Sequence, residues 1–421
     1  MVRYFELDPM LASKYDRVWR WVDWPDRKGK ADTGIDLVAR IRDTGEVTAV
    51  QCKFYEPTHT LAKTDIDSFF TASGKAPFTN RIIISTTDKW GKNAEDALAD
   101  QQIPVERIGL AEIAEAPIDW DLAWPADELQ VTLTHAMKHD LRPHQQTAVD
   151  AVLSGFAEHD RGKLIMACGT GKTFTALKLC EQVAQANDGI ARILFLVPSI
   201  SLLSQTLREW TAQSRLDLRA YAVCSDTKVS RAAEDINPHD VPLPATTDPG
   251  KLIAQMALAA DKGGLTVVFS TYQSLPVVHD AQQQGLADFD LVVCDEAHRT
   301  TGVTLAGEDA SNFVRIHDAD YLRSARRLYI TATPRLFDQD VKSKAEEHSA
   351  ELASMDDETT YGPEFHRLSF GTAVEHGLLT DYKVLVLTVD EDVIARPLQE
   401  QVVSSNVEIN LDDATKIVGC W

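Results

Sequence analysis

The sequence predicts an α/β protein in two parts: a small mixed domain over residues 1–116 and a larger, doubly wound parallel sheet over 141–385, joined by a linker at 117–140. Three observations carry this prediction. A β-β-α-β-α-β order runs through the first part. In the second, near-continuous apolar strands alternate with helices, the pattern of strands buried on both faces. MACGTGKT (166–173) follows one such strand and opens a helix, the setting of a phosphate-binding loop.

Residues 1–30 read as helical and then turn-rich. Trp19, Trp21 and Trp24, with Val18 and Val22, are spaced for packing rather than for stacking on bases. GIDLVARI and EVTAVQCKF then flank a turn at Asp43-Thr44-Gly45 as a hairpin. Side chains alternate along a strand, so Val47, Ala49, Gln51 and Lys53 share one face, and Asp36 opens the partner strand. A helix around Ile66–Ser73, a buried strand RIIIST (81–86), a helix from about Asn93 to Asp100 and the strand IPVERIG complete this part. Pro117–His139, with Trp120, Trp124 and Pro125, reads as a linker.

From Leu141 the order is helix 143–156, strand KLIMA (163–167), the glycine loop, helix 173–186, strand ARILFLVP (191–198) and helix 201–211. Strands at 265–271, 289–298 and 326–334 follow. The stretches 225–250 and 337–362 read as insertions or loops, and RSARR (323–327) as a solvated basic turn.

A chain of 421 residues, 44% hydrophobic and 25% charged, is an ordinary globular protein. No apolar run approaches the ~20 residues of a membrane span, and MVRYFELDPM lacks the features of a signal peptide. Six scattered cysteines without a CxxC pair point to a reduced, cytoplasmic setting without a zinc site, and the twelve histidines show no metal-ligand spacing. The net charge of −22 gives no bulk support for nucleic-acid binding. The last 84 residues, however, hold 6 Lys/Arg against 18 Asp/Glu, so more than half of the excess lies there and a local positive groove elsewhere is compatible.

The chemistry concentrates in two places. In the glycine loop, Gly169, Thr170 and Gly171 let backbone amides approach a triphosphate, Lys172 reaches the β/γ-phosphates, and the Thr173 hydroxyl binds Mg²⁺. Met166 stands where the strict pattern has glycine. In LVVCDEAH, Asp295 is placed to hold the Mg²⁺ of ATP and Glu296 to activate water, while Cys294 reads as a small core residue. Cys168, inside the loop, is the thiol most open to alkylation. At the hairpin, metal-assisted phosphodiester hydrolysis needs a carboxylate to fix Mg²⁺ and a cation near the nucleophile. Asp36 supplies the first, Lys53 the second, and Gln51 can orient metal, water or phosphate. A hairpin with merely solvated polar ends is the alternative.

These motifs carry a resemblance. With LRPHQ (141–145), LVPSISLLSQ (196–205), FSTYQS (269–274) and TATP (331–334), the second part resembles the first RecA-like domain of a DEAH-type superfamily 2 translocase. That resemblance implies Gln145 as the adenine reader, nucleic-acid contacts from the second and third motifs, and His298 as a bridge from the DEAH box to TATP. The hairpin resembles the D-(X)n-Q-x-K version of the PD-(D/E)xK core of Mrr-type nucleases. Asp32 is a candidate further acid there, and Glu6 and Asp16 are the acids available for the position such nucleases use before the hairpin. VWRWVDWP, DTGIDLVAR, AVQCKFY and STTDKWGKNAEDA, followed by the motor, are similar to the N-terminal half of type ISP restriction–modification enzymes.

The resemblance implies an Mg²⁺-dependent endodeoxyribonuclease and ATP-dependent translocase acting on double-stranded DNA, monomeric and without a membrane partner. It also implies that 386–421 begins a truncated second RecA-like domain, loosely held. The second RecA-like, coupler, methyltransferase and target-recognition domains would lie elsewhere in the same polypeptide. ATP binding with little turnover is then expected. The alternative is the motor subunit of a type I or type III restriction system, or a defence helicase, with the N-terminal fold serving as a non-catalytic DNA clamp.

Overall fold

A computed structural model of the protein describes residues 1–29, 34–42, 44–98, 101–116, 118, 138–224, 245–258, 263–304, 311–337 and 351–381. Asp32, Asp43, the tryptophans expected in the linker, most of the two expected insertions and the chain from 382 onward lie outside the described residues. Met1–Ala373 form one compact unit; a second, Val374–Trp421, is described only as far as Asp381.

The first sheet has five strands in the order β1-β2-β3-β4-β5: β1 (Tyr15–Arg20), β2 (Leu37–Ile41), β3 (Val47–Lys53), β4 (Phe78–Ser85) and β5 (Val105–Ile108). β1, β2 and β3 run antiparallel, and β3, β4 and β5 parallel. Strand alternation sends Leu37, Ala39, Val50, Ile82 and Ile84 to one face, beneath helices Val2–Leu7 and Pro9–Lys14. Val38, Ala49, Ile83 and Val105 go to the other, beneath helices Lys63–Ser73 and Lys92–Leu98. Trp21 and Trp24 are buried in that second layer, with Trp19 packed against it, so the tryptophans do serve packing.

β1 corrects the helical reading of the N-terminus. Its sequence YDRVWR is half-buried at a sheet edge, and Asp16, Arg17 and Arg20 hide the two-residue period. The chain before it is broken into two short helices because Asp8 caps the second, accepting from the Met10 and Leu11 amides, with Pro9 at its first position.

The second sheet contains eight strands, all parallel: β6 (Arg161–Met166), β7 (Ile190–Val197), β8 (Leu218–Val223), β9 (Ala245–Thr246), β10 (Gly264–Thr271), β11 (Leu291–Cys294), β13 (Arg327–Thr331) and β15 (Glu364–Leu368). Their order is β15-β6-β13-β11-β7-β10-β8-β9. A separate antiparallel pair joins β12 (Gly302–Thr304) to β14 (Glu351–Ala353). Leu196, Val268, Val292 and Tyr329 face one layer, which includes helices Pro249–Ala257 and Leu275–Gln283. Helices Pro143–Glu158, Lys172–Ala186 and Ile200–Gln213 lie against the other side, where Trp210 packs edge-on to Phe195 and Phe269.

Three expectations are corrected here. The loop expected at 337–362 is ordered structure from Glu351, with Met355 and Tyr361 in the core. The segment expected as an insertion up to 250 already contains β9 and the start of helix Pro249–Ala257. RSARR is not simply solvated. Arg327 is 3% exposed and its guanidinium turns back to the Leu322 and Asp318 carbonyls, while Arg323 pairs with Asp288 at 2.8 Å.

Candidate functional site

Two centres emerge. The first lies at the open end of the β2–β3 hairpin. Pairing of Leu37 with Val50 sets Asp36 opposite Gln51. The Asp36 amide donates to the Val50 carbonyl at 2.9 Å, its carbonyl accepts from Trp21 at 2.8 Å, and its carboxylate accepts from the Cys52 amide at 2.7 Å. The carboxylate is thereby held against the end of β3. Burial, together with the Asp36 charge, pushes the Cys52 thiol up to about 12, so this cysteine stays protonated and inert.

Gln51 is 3% exposed. Its Nε2 donates to the Gly34 carbonyl at 3.1 Å, whereas its Oε1 is buried without a hydrogen-bond partner. Glycine is required at 34: φ is +88°, and a Cβ would come within 2.8 Å of the Ser68 hydroxyl on the covering helix. Lys53 ends β3 half-buried and enters no ion pair among the described residues. The structure thus gathers Asp36, Gln51 and Lys53 at one end and on one face of the hairpin. It does not bring Glu6 or Asp16 there. Glu6, exposed, pairs with Arg3 on helix Val2–Leu7, which covers the other face of the sheet, and Asp16 lies on β1 in a two-pronged pair with Arg40 that holds its carboxyl below the usual range.

The second centre is the carboxyl edge of the parallel sheet, where β6, β7, β10, β11 and β13 all end, the position at which open α/β sheets bind ligands. Gly169 (φ +82°) and Gly171 (φ +85°) shape the loop after β6, and Gly171 leads directly into helix Lys172–Ala186. Gln145 sits against this loop. Its Nε2 donates to the Thr170 carbonyl at 3.1 Å and its Oε1 accepts from the Arg142 amide at 2.9 Å, so the residue fastens the LRPHQ turn to the loop. The Lys172 ammonium stands 4.0 Å from Cys168 Sγ and 4.0 Å from Glu296 Oε1.

β11 stops at Cys294. Asp295 is 7% exposed, and burial first, then the Glu296 charge, pushes its carboxyl up to about 6. Glu296 adopts the left-handed conformation, φ 48°, uncommon for a residue with a side chain and a form of strain that gathers at functional sites. His298 Nδ1 lies 3.1 Å from Thr331 Oγ1, so the DEAH segment is tied to the end of β13, and 3.3 Å from Glu296 Oε2.

Two contacts escaped the sequence reading. The buried Tyr272 hydroxyl donates to the Asp295 carbonyl at 2.8 Å, and the Trp210 indole donates to the Thr173 carbonyl at 3.1 Å. Leu203, Leu207 and Trp210 form one buried helical face, which is a visible signal for Trp210.

Both centres fit a divalent cation of the Mg²⁺ kind. At the hairpin the unpartnered Gln51 Oε1 and the pinned Asp36 carboxylate are hard oxygen donors. At the sheet edge Asp295 and the Thr173 hydroxyl are the donors, and the raised Asp295 carboxyl is a group a cation would return to its charged form. Among the described residues no three His, Cys, Asp or Glu side chains converge, so a cation at either place would share its shell with phosphate and water, as Mg²⁺ commonly does.

This geometry is matched by likeness to known proteins. Residues 6–130 match the restriction endonuclease family, and residues 138–336 match the family of the type III restriction enzyme res subunit. The chain therefore carries a restriction-endonuclease-like domain followed by a parallel-sheet, helicase-like ATPase domain.

Over its whole length it is similar to a solved structure of the ATP-dependent Type ISP restriction-modification enzyme LlaBIII bound to DNA, with 38% identity and a TM-score of 0.81, covering 100% of this chain and 27% of that one. Over this full length the likeness is to a type ISP restriction–modification enzyme. The Type I restriction enzyme EcoAI endonuclease subunit of Escherichia coli is 29% identical over 249 residues, 58% of this chain and 23% of that protein. Probable helicase A859L of African swine fever virus (isolate Pig/Kenya/KEN-50/1950) is 29% identical over 195 residues, 46% of this chain and 19% of that protein. The chain spans about a quarter or less of the length of these relatives.

Proposed function

We propose that this chain is the nuclease and first motor domain of an ATP-dependent restriction enzyme that translocates on and cuts double-stranded DNA in the cytoplasm. Residues 1–116 form the nuclease domain and 141–385 the motor domain in this reading, and the chain acts as a monomer. The observation that carries it is the presence in one compact unit of two phosphate-directed centres, Asp36–Gln51–Lys53 and the Lys172–Asp295–Glu296 edge.

At the hairpin, Asp36 and Gln51 would hold Mg²⁺, which supplies a polarised phosphate and an activated water when bound. Lys53 stabilises the charge that grows on the phosphate oxygens. At the sheet edge the loop amides and Lys172 hold the triphosphate, Gln145 reads the base, Thr173 and Asp295 hold the cation of ATP, and Glu296 orients the attacking water. The Glu296–His298–Thr331 contacts connect that water site to β13.

The test is Mg²⁺-dependent nicking of supercoiled plasmid by the whole chain without ATP. Asp36→Ala and Lys53→Ala should each abolish it, while Lys172→Ala should leave it intact and remove binding of a fluorescent ATP analogue. A DNA clamp without catalysis is the second reading. It is favoured by Gln51 standing where a second carboxylate would strengthen the metal site, and it prevails if the parent chain binds DNA but never nicks it.

A further inference from the structure

Helix Ile200–Gln213 touches both halves of the molecule. On its inner face Trp210 is fully buried, wedged edge-on between Phe195 and Phe269, and its indole donates to the Thr173 carbonyl. Thr173 is the second residue of the helix that follows the phosphate loop. The end of helix Ile200–Gln213 is clamped to that same neighbour, because Lys178 donates to the Gln213 carbonyl at 2.9 Å. On its outer face Arg208 pairs with Glu112 of the first domain at 3.2 Å, with both side chains one-quarter exposed. Helix Pro9–Lys14 of the first domain packs alongside.

The junction is not close-packed throughout. A cavity of about 210 Å³ opens between Asp8, Met10 and Ala116 on one side and Arg208, Glu209 and Ala212 on the other. Close-packed interiors resist displacement, whereas a contact interrupted by a partly open cleft leaves the two surfaces room to slide.

We infer that helix Ile200–Gln213 is a positioning element shared by the two centres: Trp210 sets the backbone at Thr173, Arg208 sets the nuclease domain through Glu112, and nucleotide occupancy therefore shifts the nuclease domain. This rests on the reading of the loop as an ATP site. The Thr173 carbonyl belongs to the first turn of the helix that receives the phosphates, so closing the loop on a nucleotide pulls on Trp210. Both residues sit on one continuous helix, and Arg208 lies only two residues away. By linkage, whatever stabilises the displaced nuclease domain tightens nucleotide binding by the same factor.

The experiment is amide hydrogen exchange on the whole chain, with and without a non-hydrolysable ATP analogue and Mg²⁺, read at helices Pro9–Lys14 and Leu110–Glu115. A change of roughly five-fold or more in exchange at both, the lower edge of allosteric coupling, is expected. Arg208→Ala should erase that change while retaining analogue affinity, and the swap Arg208→Glu with Glu112→Arg should restore it. Trp210→Phe, which keeps the ring but removes the donor, should weaken analogue binding several-fold and blunt the response. Analogue binding with unchanged exchange in the nuclease helices overturns the inference, as does a response that survives in Arg208→Ala. If the parent chain binds no analogue, the nucleotide-site reading fails and the inference falls with it. Nicking without ATP tests the nuclease reading separately.

Discussion

His317 Nδ1 lies 2.9 Å from the Tyr329 hydroxyl, and its Nε2 lies 3.1 Å from the Thr300 carbonyl. A carbonyl only accepts, so Nε2 carries the proton and Nδ1 is free to accept from the tyrosine. The neutral ring is fully satisfied. Burial is the main cause that lowers its pKa to about 4. A lowered histidine contributes stability that is complete above the unfolded value of about 6.5 and is lost as pH falls through the folded value. Between pH 7 and 4.5 this amounts to roughly 2 kcal/mol. Urea unfolding at the two pH values should show a parent chain that loses about that much more stability than His317→Asn; equal losses would remove His317 as the cause.

Gly171→Ala should break the nucleotide loop by two routes. Its φ of +85° is strained for alanine, and the added Cβ would stand 2.3 Å from Gln145 Nε2. Gly189→Ala is the control, with φ +81° but nothing within 4 Å of the added carbon. Both should lose about 1–2 kcal/mol of stability from strain. Only Gly171→Ala should weaken a fluorescent ATP analogue, by about ten-fold or more, the equivalent of 1.4 kcal/mol.

Gln51→Glu offers a stability readout of the hairpin cation site. The new carboxylate faces the Gly34 carbonyl that Nε2 now serves, so the cation-free protein should lose about 1–3 kcal/mol. Added Mg²⁺ should recover most of it, giving a larger rise in Tm than in the parent chain. A variant whose Tm is as insensitive to Mg²⁺ as that of the parent argues that no cation sits beside Asp36.

Lys14 Nζ and Glu106 Oε1 are 3.0 Å apart with side chains 8% and 6% exposed, near the Tyr15 ring. Glu106→Ala strands a buried ammonium and should cost about 3–5 kcal/mol. Glu6→Ala removes the exposed partner of Arg3 and should stay within ~0.5 kcal/mol. Chemical denaturation of both variants checks the contrast.

Much of the parallel sheet was legible, because strands buried on both faces are written as unbroken apolar runs and the motif residues fall where those runs stop. The hairpin face was legible for the same kind of reason: a period of two places Gln51 and Lys53 together whatever the tertiary fold. Edge strands were not. β15 reads EFHRL, with only Phe365 and Leu368 apolar, and Phe365 matters through space. The ring occupies the room left by Gly155 and Gly162, where a Cβ would lie 2.2 Å away in each case. Nothing local marks that fit. The depth of Arg327 was hidden likewise, since its partners are main-chain carbonyls that any sequence would provide. The grip of the Cys52 amide on Asp36 is also a main-chain contact, set by register and turn rather than by residue type.

β6 carries the phosphate loop at its end, and its two flanking strands are β13 and β15. Both come from the far side of the domain in chain order, with Thr331 beside Ile165 and Leu368 beside Met166. A nascent chain therefore finishes the first sheet, whose strands end at Ile108, long before β6 can find its last neighbour. At about 5–20 residues per second of synthesis, β6 waits roughly 10–40 s after it leaves the ribosome, with its hydrogen-bonding edges unfilled. The order of strands makes the nuclease domain the early folder and the ATPase domain the late one. Chaperone demand during synthesis should accordingly concentrate on the interval between β6 and β15.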